Sequence, residues 1–258
     1  MRLFFALFLL SLGIAPLRAE VPALLDDALL KTLKDANRWA FTLTIVEEDG
    51  NGKERKRTLV RFDPSKPYAE QYAVISVDGQ PPNSSEVNRY RRRGERRGER
   101  LDKAESEGRT DTDGSRQSLG ELMDLEHATV LSEDATAVTF EVPLKKEGNR
   151  RMPPEKFLVT ARVNKATRAF ERIDAKLRES MRMAVVVKIR SGEGAIEFSS
   201  VDPKFAPTPV KLQGTGLYSI LFVPGGRTYE IDHTDFKRVK PYAERFGVRI
   251  GTMKAIDF

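Results

Sequence analysis

The sequence predicts an α+β fold in which about ten antiparallel strands build one large, curved sheet and a few helices lie on its concave face. Three observations lead there. In Trp39-Ala40-Phe41-Thr42-Leu43-Thr44-Ile45 the large apolar residues are all odd-numbered, so they share one face of a strand. Similar short runs recur to about residue 232, most of them separated by tight turns, and strands joined by short turns are antiparallel because parallel pairs need long crossovers. Helical periodicity is confined to three early stretches, too few to cover both faces of such a sheet. A twisted open sheet of about ten strands curls, and those helices are the only candidates to fill its hollow.

The elements follow in order. Met1-Arg2, an apolar run from Leu3 to Leu12 broken only by Ser11, then Gly13, Pro16 and Leu17-Arg18-Ala19 read as a cleavable secretory signal over residues 1–19. The run is shorter than the roughly 20 apolar residues that a spanning helix needs. The expectation is a mature chain of residues 20–258, folded as a single domain, exported to the periplasm and monomeric. Pro22 to Asn37 is a helix with Leu25, Leu29 and Leu33 on one stripe. After the Trp39 strand, Asp49-Gly50-Asn51-Gly52 is a hairpin signal. Strands from Lys53 to Asp63 and from Glu70 to Val77 come next, the latter ending at Asp78-Gly79. Asn83 and Glu86 form a capping pair for a charged helix over 84–105. Residues 106–117 have almost no apolar content and read as a loop, with a helical turn at Leu119 to Met123. The remaining strands are expected at Ala128–Leu131, Ala137–Val142, Phe157–Val163, Phe170–Arg178, Ala184–Arg190, Ala195–Ser200, Leu217–Val223 and Thr228–Asp232. Gly192-Glu193-Gly194 and Pro224-Gly225-Gly226 are read as turns between the last two pairs.

Composition excludes several functions. The chain has no cysteine, which removes disulfide scaffolds, thiolate zinc sites, thiol nucleophiles and lipid attachment through an N-terminal cysteine. A net charge of +6, lowered when Arg2 and Arg18 leave with the signal, is too small to imply nucleic-acid binding. His127 and His233 are the only histidines, and no H-x-x-x-H or G-x-S-x-G arrangement occurs. Two calcium-loop imitations fail at both ends, with Glu47 or Arg109 first and Thr58 or Gly120 last. The expectation is a protein without enzymatic activity, catalytic residues, metal or cofactor.

Two features remain as candidates for binding. Residues 89–100 read Arg-Tyr-Arg-Arg-Arg-Gly-Glu-Arg-Arg-Gly-Glu-Arg. On a helix Arg89, Arg93 and Arg97 form one stripe and Arg92, Arg96 and Arg100 another beside it. Clustered arginines suit phosphates, so the segment reads either as a surface for an acidic partner or anionic lipid, with transient membrane contact, or as a solvated charged face. Gly94 and Gly98 each cost this helix about 1 kcal/mol relative to alanine. The second feature is the apolar stripe of Trp39, Phe41 and Leu43 with Val60 and Phe62 on the neighbouring strand, and a similar stripe through Met183, Val185 and Val187. These are core, or they line a cavity for an apolar ligand, according to how the helices dock.

Phe62-Asp63-Pro64-Ser65-Lys66-Pro67, followed by Val77-Asp78-Gly79-Gln80-Pro81-Pro82 and a charged helix, resembles a branch of exported bacterial proteins. Thr228-Tyr229-Glu230-Ile231-Asp232-His233-Thr234-Asp235-Phe236-Lys237-Arg238-Val239 resembles the closing strand of the outer-membrane lipoprotein-sorting (LolA-like) superfamily. The order of elements is similar over most of residues 22–240. The resemblance implies an unclosed half-barrel with helices over an apolar cavity, and a soluble carrier of lipid or lipoprotein acyl chains. None of that family's ligand contacts maps onto a position of this chain.

Overall fold

Period-two alternation over most of the chain gives strands that each have one apolar side, and an apolar side must be buried. The computed structural model, which describes residues 20–109, 114, 118–146, 153–184, 187–220 and 223–246, meets that demand with one sheet of eleven strands. Residues 1–19, expected to be a signal, and most of the 106–117 stretch lie outside the described residues. The strands are β1 (Trp39–Asp49), β2 (Glu54–Phe62), β3 (Tyr72–Val77), β4 (Thr129–Glu133), β5 (Ala137–Glu141), β6 (Phe157–Asn164), β7 (Ala169–Leu177), β8 (Met181–Ala184), β9 (Val187–Ser199), β10 (Thr208–Ile220) and β11 (Val223–Arg238). Their order is β3-β2-β1-β11-β10-β9-β7-β6-β5-β4, with β8 folded back onto β9. Every pairing is antiparallel. Among the described residues β3 and β4 do not pair, so the sheet is an open half-barrel, as the resemblance implied.

Three helices join it: α1 (Glu20–Asp35), α2 (Ser84–Ser106) and α3 (Leu119–Leu122). In α1, Leu25, Ala28, Leu29 and Leu33 recur at i, i+3, i+4 and i+8 and are buried. They pack on Val138, Phe140, Val159, Ala161, Phe170 and Ile173, which makes the larger core. Lys31 Nζ donates to the Thr167 carbonyl at 2.6 Å and Arg168 pairs with Asp27, pinning the helix to the β6–β7 turn. The smaller core lies under α2, where Tyr90 meets Leu43, Val60 and Phe62. Asn83 and Glu86 close a reciprocal capping box at the start of α2. Before it, Asp78 and Gly79 both take positive φ, 52° and 75°, which turns the chain from β3 toward α2.

Two expected turns are strand interior. Gly192-Glu193-Gly194 lies inside β9, and Pro224-Gly225-Gly226 lies inside β11. None of these glycines has positive φ; they were read as punctuation, yet they sit in extended ladders. The stripe through Met183 and Val185 is also not one strand: the chain folds back between β8 and β9, so Met181 pairs with Ile189.

Candidate functional site

Directly paired residues point to the same side of a sheet. Register therefore gives one apolar ladder on the helix-bearing face: Ile173, Ile196, Leu212, Ile231 and Ile45 follow one another across β7, β9, β10, β11 and β1. Ile173 and Ile196 belong to the α1 core, and Ile45 and Ile231 to the α2 core. Leu212 stands between them, half-buried and in neither.

Two residues along each strand the face changes character. Ala175, Gly194, Gly214, Tyr229 and Glu47 form the next row, and Gly192, Gly216, Arg227 and Asp49 the one after. Gly194 faces Gly214 and Gly192 faces Gly216, two cross-strand pairs with no side chain. A Cβ built on any of the four would meet only backbone, at 3.2 Å for Gly194 and 3.7 Å or more for the others. No side chain of the described residues comes within 4 Å of those Cβ positions. Further on, Tyr218 pairs with Ile189 and Ile220 with Val187, so apolar groups return, and Met181 lies beside Ile189. The result is a trough over β9 and β10 with apolar ends and a floor of bare backbone. Its β11 side is polar: Tyr229 is 40% exposed, and Arg227 reaches Glu47 at 3.6 Å and the Tyr229 hydroxyl at 3.4 Å.

Most of the residues singled out from the apolar stripes are packed against other side chains. Leu43, Val60 and Phe62 are buried in the smaller core, and Phe41 stacks on His233 with centroids 4.5 Å apart. Trp39 is buried edge-on between Phe205 and Phe236. Val187 is half-buried opposite Ile220. Val185 and the Met183 side chain lie outside the described residues. Gly192 and Gly194 carry the composition of a turn, and the sequence signal for the two cross-strand pairs is their even spacing, 192/194 and 214/216, on two strands.

His233 is half-buried, and desolvation of its ring pulls its pKa below the ordinary 6.5. Its Nδ1 lies 2.7 Å from the Pro209 carbonyl, an acceptor, so this nitrogen carries the proton and donates.

The Arg-rich helix divides. Arg89, Arg92, Arg93 and Arg96 are exposed. Arg97 is only 5% exposed: it donates to Gln71 Oε1 at 2.7 Å and to Asn37 Oδ1, and lies over the Phe62 ring. It ties the end of α1 to α2 and does not belong to the outer surface. Arg100 is half-buried and donates to the Gly114 carbonyl at 2.8 Å.

Beside Arg97 is a cavity of about 330 Å³ whose walls include Tyr68, Arg38, Glu244 and Tyr242. Burial, reinforced by Asp102, pushes the Tyr68 phenol up to about 12, so it stays neutral. A groove of about 420 Å³ is lined by the side chains of Arg172, Asp174, Lys176 and Glu193, which point to the other side of the sheet from Ile173, and by the backbone of Gly194 and Gly214. A wider, shallow depression of about 870 Å³ lies between α1 and residues 120–127. Among the described residues no three acidic or histidine side chains are placed to hold a metal ion. No helix among them is long and apolar enough to cross a membrane.

No family model matches the chain, and no curated protein does. Among solved structures, it is similar to a LolA superfamily protein from Nitrosomonas europaea, at 12% identity, over 85% of this chain and 94% of that one, with a TM-score of 0.38. It is also similar to a DUF1329 family protein from Desulfovibrio piger, at 12% identity over 84% and 92%, TM-score 0.36. A third likeness is to the MucA/MucB complex of Pseudomonas aeruginosa, at 10% identity over 86% and 100%, TM-score 0.20.

Proposed function

We propose that this chain is an exported, non-enzymatic protein that binds an apolar ligand, a lipid or a lipoprotein acyl chain, in the trough over β9 and β10. The bare glycine floor between two separate cores carries the reading. Glycine inside a strand costs roughly 0.5–1 kcal/mol relative to alanine, and it marks places where a ligand or another backbone approaches closely. Here no internal side chain makes that approach, and none of the four glycines has positive φ that would require it. An acyl chain suits the space because it offers apolar area, worth about 25 cal/mol per Å² buried, and asks for no hydrogen bond from a floor whose polar groups are spent in the ladder. Tyr229 and Arg227 stand where the polar end of such a ligand would emerge. The signal-like composition of residues 1–19 supports a location outside the cytoplasm.

The test fills the floor. Gly214→Val and Gly216→Val put β-branched side chains where a Cβ meets nothing closer than 3.7 Å, so the fold should tolerate them. Displacement of a fluorescent fatty acid should weaken at least about tenfold, a loss of roughly 1.4 kcal/mol, with the melting midpoint unchanged or raised. Lipid binding by the variant equal to that of the wild type would move the site elsewhere. Wild-type protein that carries no lipid in native mass spectrometry and binds no fatty acid would refute the function itself.

A further inference from the structure

We propose that the outer face of α2 is a docking surface for an anionic lipid bilayer. The helix is 23 residues long and buries only a narrow line: Tyr90, Gly94, Arg97, Gly98 and Ala104. Gly94 and Gly98 let that line sit directly on the 3-10 turn Tyr68–Glu70, since a Cβ at 94 would stand 1.9 Å from the Tyr68 carbonyl oxygen and one at 98 would stand 2.3 Å from its ring. The backbone is held down, so the opposite side chains must project outward. Arg89, Arg92 and Arg96 follow at i, i+3 and i+7 and span about 10 Å along the axis. Arg93 lies on the β3 flank, its guanidinium 4.8 Å from the centre of the Tyr72 ring.

None of these four arginines forms an ion pair with a described residue. The neighbouring carboxylates are engaged elsewhere: Glu86 with Lys56 and the helix cap, Glu95 with Arg91, and Asp102 with the Tyr68 hydroxyl. Glu99, one turn beyond Arg96, marks the end of the patch. From Val87 to Arg96 the sequence has five arginines and a single acid, Glu95.

Arginine presents a planar fork of donors that fits phosphate oxygens two at a time. A straight row of three on a helix that cannot roll is matched by a plane of headgroups. A bilayer surface presents anionic groups along the whole row at once, whereas an acidic polypeptide must be ordered to do so and loses conformational entropy. The bilayer is therefore the better fit. This surface is separate from the trough and does not depend on what the trough holds.

Co-sedimentation of the full chain with vesicles tests the assignment. Wild-type protein should bind phosphatidylcholine vesicles containing about one-third phosphatidylglycerol and leave pure phosphatidylcholine alone. Raising salt from about 0.05 to 0.5 M should release it, because exposed charges are screened. The triple variant Arg89→Gln, Arg92→Gln, Arg96→Gln should partition on the order of 100-fold more weakly, as expected when each basic residue near an anionic surface contributes about a factor of five. An unchanged melting midpoint and unchanged fatty-acid binding would show that the variant is folded and the trough intact. Equal binding to neutral and anionic vesicles, or full retention by the variant, would overturn the proposal. Binding to soluble polyglutamate without binding to vesicles would also overturn it, in favour of an acidic protein partner.

Discussion

Gly94 is the position where helix propensity and packing disagree most sharply. Alanine is a better helix former by about 1 kcal/mol, and at an exposed site Gly94→Ala would stabilise. Here its Cβ would fall 1.9 Å from the Tyr68 carbonyl, against backbone that has little room to yield. Overpacking of this kind costs on the order of 1–3 kcal/mol, so Gly94→Ala should lower the denaturant midpoint, and an unchanged or raised midpoint would refute the contact. A different balance governs His233. Burial keeps it neutral when folded, whereas the unfolded chain takes up a proton near the ordinary 6.5. Its pKa is depressed in the folded state, so its contribution is fully present above about pH 6.5 and is lost as pH falls toward the lowered folded value. Urea midpoints taken from pH 7.5 down to 5 should show that decline, and His233→Gln should flatten it. No difference in slope between the two proteins would contradict the burial assignment.

At the scale of elements, what the sequence disclosed depends on the kind of signal. The start of α2 was legible because Asn83 and Glu86 are a local, reciprocal arrangement, and the capping box forms as the spacing predicts. Strands β1, β2 and β3 followed from alternation and an Asp-Gly turn. Glycine misled twice. Gly192, Gly194, Gly225 and Gly226 carried the composition of turns, but β9, β10 and β11 run straight through or alongside them. Register decides such cases, and register is a long-range property: only when Gly194 is seen opposite Gly214 does the bare floor exist at all. The Arg-rich segment was half legible. Its outward stripe follows from helical spacing, but the burial of Arg97 depends on Asn37 and Gln71, 60 and 26 residues away in sequence.

The described residues form two hydrophobic clusters and one sheet. Phe140 is fully buried under α1, while Trp39 sits in an aromatic group outside that cluster, yet an unbroken series of ladders connects β5 to β1. Phe140→Ala should cost roughly 3–5 kcal/mol. If the sheet unfolds as one unit, the midpoint followed by Trp39 fluorescence should fall together with that from circular dichroism. Separation of the two curves would mean that the α1 and α2 halves melt independently.

The pairing of β1 with β11 sets the order in which this architecture can assemble. Trp39 and Arg238 are neighbours in the sheet although about 200 residues separate them, so the central seam is among the least local contacts in the fold and among the most expensive in loop entropy. Hairpins on either side can form early from nearby sequence. Until the last strand arrives, β1 and β10 each keep an unpaired edge in what will become the middle of the sheet. The strand beside the glycine floor is thus also the keystone: a chain interrupted before Val223 would lack every ladder between the β1–β3 and β4–β10 parts of the sheet.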